Sequence, residues 1–231
     1  MATSIALLGA PSCGTEPATA ANQQLAACRA ALARPVDITT ITGVVRHINA
    51  LPQPATVACF VASLPRPLSI VATSSMASAQ PAAGVRAPRI FVLTPTLSFS
   101  VVSDGAGARL LELGEWIDSR HTLKGEIELP STHPLADDAP FTRVHYQTGT
   151  TCGLCHRDEQ PSTTVASGFT SLAFQPIDTS LVGIGTVRAI PSAVCEDEND
   201  VTPRCVFWHA LFDYGEVREG AFDPGLSTLF H

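Results

Sequence analysis

Between Pro35 and about residue 147 the chain is a succession of short β-branched runs, each closed by Pro, Gly, Asp or Ser. They read "ITGVVRHINAL", "TVACFVASL", "LSIVATSS", "RIFVLTPTLSFSVVS", "ARLLELGEWI", "LKGEIELP" and "FTRVHYQ". Punctuation at this spacing leaves no room for long helices and favours strands joined by turns. Two-residue alternation sets Leu97, Phe99 and Val101 against Ser98 and Ser100, and Ile127 and Leu129 against Glu126 and Glu128. The pattern predicts a mainly β fold, an antiparallel β-sandwich or barrel-like domain. "SDGAGA" (103–108) reads as a hairpin connection.

Short helices are expected at both ends. Leu25, Cys28 and Leu32 recur at helical steps within 20–34, and Pro35 stops that segment. Thr202, Pro203 and Gly215 frame a second helix near 202–214 as cap, first-turn proline and terminator. "FTSLAFQPID" and "SLVGIGTVRAI" fit a strand or a helix equally. The expected organisation is a single β-rich domain over 20–231, preceded by an export, lipid-anchor or disordered segment at 1–19.

A hydrophobic fraction of 45% with only 15% charged residues supports a packed core rather than a disordered chain. The formal charge is −7, and the 14 basic residues include one lysine, Lys124. No basic block is present, which argues against nucleic acid as a partner.

Seven cysteines point to export. The apolar stretch Ser4 to Ala10 leads to Cys13 and then Gly14, Thr15, Glu16 and Pro17, which resembles the cleavage end of a bacterial lipoprotein signal. The resemblance implies that Cys13 carries a lipid. Ala10-Pro11-Ser12 departs from the usual residues before such a cysteine, and no basic n-region precedes the stretch. Setting aside Cys13, Cys152 and Cys155 leaves four. Their most economical pairing is Cys28 with Cys59, and Cys195 with Cys205 around "CEDENDVTPRC". Such bonds persist in the periplasm or at the cell surface; four buried free thiols are the cytosolic alternative.

"GTTCGLCHRDEQ" (149–160) carries the remaining pair. A bare C-x-x-C arises in about one chain in five of this composition, but C-x-x-C-H in only about one in 150. Cys152-Gly153-Leu154-Cys155-His156 resembles the haem-attachment motif of c-type cytochromes. The resemblance covers five residues. It implies haem c, with Cys152 and Cys155 as thioether anchors and His156 as an iron ligand. His209, Met76 and His145 compete as the second axial ligand. The same residues also admit a zinc site, a redox dithiol or a plain disulfide.

No G-x-S-x-G, H-E-x-x-H, Walker or G-x-G-x-x-G motif is present. The acidic run Glu196 to Asp200 reads as a solvated turn rather than a calcium loop. Two expectations follow. One is an exported single-haem protein for electron transfer or redox sensing, working with a redox partner or envelope component and attached through an N-terminal lipid to the outer membrane. The other is a non-catalytic, disulfide-stapled envelope or surface binding protein whose cysteines are structural. Catalysis by an open haem is a third reading, without a distal acid–base group to support it.

Overall fold

The computed structural model describes residues 16–31 and 37–229. Strand alternation is the element from which the rest follows. β1 (Leu68–Thr73), β2 (Arg89–Leu93), β3 (Leu97–Val102), β4 (Leu110–Trp116) and β5 (His121–Glu128) form an antiparallel meander. Its register stacks Val92, Phe99 and Leu113 in one row and Ile90 beside Val101, all on the same face and all buried. The intervening residues, from Arg89 through Ser100, Glu112 and Lys124, fall on the opposite face.

The meander is extended at both edges. β10 (Val217–Glu219) runs parallel to β1, while β9 (Phe169–Leu172) pairs with β5 and then β8 (Gln160–Pro161) with β9. The expected β-rich domain is therefore present, its strands laid out as one eight-stranded sheet in the order β10-β1-β2-β3-β4-β5-β9-β8. β6 (His145–Tyr146) and β7 (Gly149–Thr150) make a separate small hairpin. The short edges, one carrying Pro161, present little unpaired backbone to another sheet.

Helices supply the second layer. α1 (Glu16–Ala30), α2 (Ile41–Ala50), α3 (Val57–Ala62), α5 (Ile184–Val194) and α6 (Pro203–Phe212) contribute to the core on the apolar face. Two of these correct the sequence expectation, since "ITGVVRHINAL" and "TVACFVASL" read as strands. Ile41, Val44, Val45 and Ile48 recur at helical spacing and are fully buried, so burial of one stripe overrides β-branched propensity. Each helix is also capped by threonine: Thr40 accepts from the Gly43 N–H at 3.0 Å and Thr56 from Cys59 at 3.0 Å. Phe60 of α3 meets Phe99 of β3 edge to face, with centroids 5.3 Å apart.

The expected terminal helices form with shifted bounds. Thr202 occupies the cap position of α6 without a side-chain hydrogen bond, and Pro203 begins its first turn. "FTRVHYQ" is likewise not a single strand: α4 (Ala139–Arg143) occupies its first half and β6 its second. α4 is where the chain changes sides. Phe141 joins the apolar core, whereas Val144, Thr151 and Cys152 already line the opposite face.

Both expected disulfides form. Cys28 in α1 joins Cys59 in α3, and Cys195 after α5 joins Cys205 in α6. Among the described residues no helix is long and apolar enough to cross a membrane. Cys13 and the expected 1–19 segment fall outside the described residues, apart from Glu16–Thr19 at the start of α1.

Candidate functional site

The second face of the sheet is polar yet covered. Ser100, Thr122 and Lys124 are buried under a lid made by residues 144–156 and 173–174 and by the segment around Ser78 and Gln80. Beneath that lid lies a cavity of about 90 Å³ lined by Arg89, Ser98, Ser100, Glu112, Gly114, Trp116, Thr122, Lys124, Cys152, His156 and Phe174. Gly114 makes room for it, because a Cβ there would stand 3.2 Å from Ser98 Oγ and 3.4 Å from Thr122 Oγ1. A second compartment of about 150 Å³ shares Arg89, Phe91, His156 and Phe174 with the first and continues past Pro176, Ile177 and Leu229.

Arg89 is fixed on every side. Its guanidinium donates to Ser100 Oγ at 2.9 Å, to Ser78 Oγ and to Glu112 Oε2, and it lies 4.5 Å from the Phe91 ring centre. Ser100 donates in turn to Gln80 Oε1 at 2.8 Å, and the Gln80 amide to the Gly107 and Leu110 carbonyls. The other Glu112 oxygen, Oε1, is buried with no hydrogen-bond partner.

Lys124 is only 7% exposed and forms no ion pair among the described residues. Its ammonium donates to Thr122 Oγ1 at 2.6 Å and to the Leu172 carbonyl at 3.3 Å. Burial lowers its pKa to about 8, with the nearby Cys152 and Glu112 acting in the opposite direction.

The motif's shape is set by its neighbours. Thr150 Oγ1 accepts from the Gly153 N–H at 3.1 Å, and Glu159 accepts from both the Thr150 N–H and hydroxyl. A Cβ at Gly153 would meet the Glu159 carboxylate at 2.6 Å, so the glycine leaves that carboxylate in place to hold Thr150. The resulting 3₁₀ turn, Cys152–Leu154, sends Cys152 toward the cavity and leaves Cys155 exposed. Burial pushes the Cys152 thiol up to about 11, so it is a neutral thiol at pH 7 and a poor nucleophile.

His156 lies over Phe174 with ring centres 5.2 Å apart, and its Nδ1 is 2.7 Å from the Leu172 carbonyl. A carbonyl only accepts, so Nδ1 carries the proton and Nε2 the lone pair. The Lys124 ammonium, 3.4 Å from the same Nδ1, is a second donor beside it rather than its hydrogen-bond partner. Burial, reinforced by that cation, holds the imidazole pKa near 3 and keeps it neutral.

A scan of protein-family models, a search of curated proteins and a search of solved structures found no match to this chain. The cytochrome resemblance at Cys152, Cys155 and His156 is corrected accordingly. Haem attachment needs both sulfurs along one macrocycle edge with the imidazole beneath the iron. Here Cys152 turns toward the cavity while Cys155 is exposed, His156 is committed to Leu172 and Phe174, and a cavity of about 90 Å³ has no room for a macrocycle. The residues present do not fit haem.

They do not gather as a metal clip either. Among the described residues one group of three His, Cys, Asp or Glu ligand atoms lies within 4.8 Å: Cys195, Asp200 and Cys205, whose sulfurs are bonded to each other. Asp200 instead accepts from the Glu196 and Thr202 N–H groups, closing the acidic turn. His209 belongs to α6 in the helical layer, with Nδ1 2.7 Å from Asp213, and so shares no site with His156. His145 Nε2 is 2.7 Å from the Ser167 carbonyl, and Met76 is 75% exposed.

Sequence reasoning singled out the motif but missed the polar residues it covers. The signal existed in the strands: Glu112 between Leu111 and Leu113, and Lys124 two residues before Glu126, both continue a period-two pattern onto one face.

Proposed function

We propose that this disulfide-stapled protein is a binding module of the bacterial envelope, periplasmic or at the cell surface, that takes a small polar ligand in the cavity between the sheet and the segments 144–156 and 173–174. Two disulfides fit an oxidising compartment. The observation that carries the reading is Lys124, a buried ammonium with no ion pair among the described residues, lining a cavity that also holds an unpartnered Glu112 oxygen. An unpaired buried charge is costly, and a bound ligand is the simplest means of satisfying it.

The chemistry on offer is recognition. Cys152 is a neutral thiol, His156 a neutral imidazole tied to a carbonyl, and Arg89 a guanidinium held by Ser78, Ser100 and Glu112. Ligand-detected NMR with a fragment library on the oxidised full chain tests the proposal. Hits that disappear with Lys124→Met support it. A protein that binds no fragment, or binds the same fragments after that change, overturns it.

A further inference from the structure

We infer that the ligand is a small 2-hydroxycarboxylate with an apolar tail. The inference rests on the cavity being a ligand site and names the class of molecule that site fits.

Of the three Lys124 protons, Thr122 Oγ1 and the Leu172 carbonyl take two, and no acceptor among the described residues takes the third. Glu112 Oε2 is engaged by Arg89, but Oε1 is buried without a donor. The cavity therefore needs one acceptor facing Lys124 and one donor facing Glu112. It also needs one negative charge, since Arg89 pairs with Glu112, the other lining carboxylate, Glu126, pairs with Arg143, and Lys124 is left over. A carboxylate supplies the charge and the acceptor. It cannot donate to Glu112, so a neighbouring hydroxyl is required.

The strand register sets the separation. Glu112 stands opposite Glu126, and Gly114 opposite Lys124. Glu112 and Lys124 are thus diagonal neighbours on one face, with backbones roughly 7–8 Å apart and long side chains converging between them. Adjacent carboxylate and hydroxyl groups on one small molecule span that gap. Gly114, which faces Lys124 without a side chain, leaves the room.

The tail follows from the second compartment. Past Arg89 and Phe91 it is walled by Phe174, Pro176, Ile177 and Leu229. Volumes of about 90 and 150 Å³ suit a head of a few atoms and a side chain the size of an isobutyl or phenyl group. Trp116 and Phe222 complete the walls around the head.

Calorimetric titration with mandelate, phenylacetate and mandelamide tests the assignment. Mandelate is expected to bind, and removing its hydroxyl or its charge to weaken binding by about tenfold or more. Lys124→Met should abolish the preference for mandelate over mandelamide, and Glu112→Gln the preference over phenylacetate. Because Glu112 also holds Arg89, Gly114→Val serves as a second variant. It fills the cavity without removing a hydrogen-bonding group and should eliminate binding with the unfolding transition retained. If other fragment classes bind while mandelate does not, or if the three probes bind alike, the hydroxy-acid assignment fails and the ligand site stands. If nothing binds and only solvent reaches Lys124, both fail.

Discussion

Lys124 is the residue at which stability and recognition oppose each other. Burial drops its pKa from 10.5 to about 8, so holding it charged at pH 7 costs folding free energy. Lys124→Met removes that cost at the expense of its bonds to Thr122 and Leu172, each worth about 1 kcal/mol. The variant is expected to be more stable than the parent by about 1–2 kcal/mol in urea unfolding at pH 7 while losing its ligand. A loss of stability would mean that Lys124 is a structural donor. His156 works the other way in acid. Its folded pKa is depressed from 6.5 to about 3, so the unfolded chain binds the extra proton and stability falls as pH drops from 6.5 toward 3. Unfolding at pH 7 and pH 4.5 should show about 3 kcal/mol lost through this group. His156→Asn should recover that share of the slope, leaving the part due to His47, whose pKa burial also lowers.

At the scale of elements, the two disulfides differ in what they restrain. Cys28–Cys59 closes a separation of 31 residues and fastens α1 to α3, whereas Cys195–Cys205 closes only 10 between α5 and α6. Loop-closure entropy assigns about 4 kcal/mol to the first and about 3 kcal/mol to the second. Paired Cys→Ser substitutions should reproduce that order in denaturant midpoints, with hydrogen exchange rising first in α1 when the longer loop is released. Elements also show what was legible in the chain. β2 to β5 could be read because alternation at 97–101 and 126–129 is a signal of the strand itself. α2 and α3 could not be read from propensity, since Val, Ile and Phe dominate them. Thr40 and Thr56, with the 41, 44, 45, 48 spacing, held the helical signal. Both disulfide pairings followed from counting cysteines. The cavity did not, because the residues that converge on it come from β2, β3, β4, β5 and the motif loop, and only the register brings them together. The haem reading failed for a related reason: spacing fixes which residues are adjacent in sequence, and Gly153 against Glu159 decided where their side chains point.

For the whole molecule, the sheet separates two environments that two tryptophans can report independently. Trp116 lines the cavity, while Trp208 is 1% exposed in the helical core, stacked on Phe212. Ligand addition should therefore change emission from Trp116 alone. Trp116→Phe should remove that response, and Trp208→Phe should preserve it while diminishing the signal of unfolding. A ligand response that survives Trp116→Phe would place the binding surface elsewhere on the molecule.

The contrast between the two faces also protects the way the strands align. Sliding β4 by one residue against β5 would turn Glu112 into the oily helical layer and present Leu111 or Leu113 to Arg89 and Lys124. Every such slip exchanges a matched pair of surroundings for two mismatched ones. The same charges that ready the cavity for a guest thus act as a spelling check on the meander, rejecting misaligned hairpins before the lid closes over them.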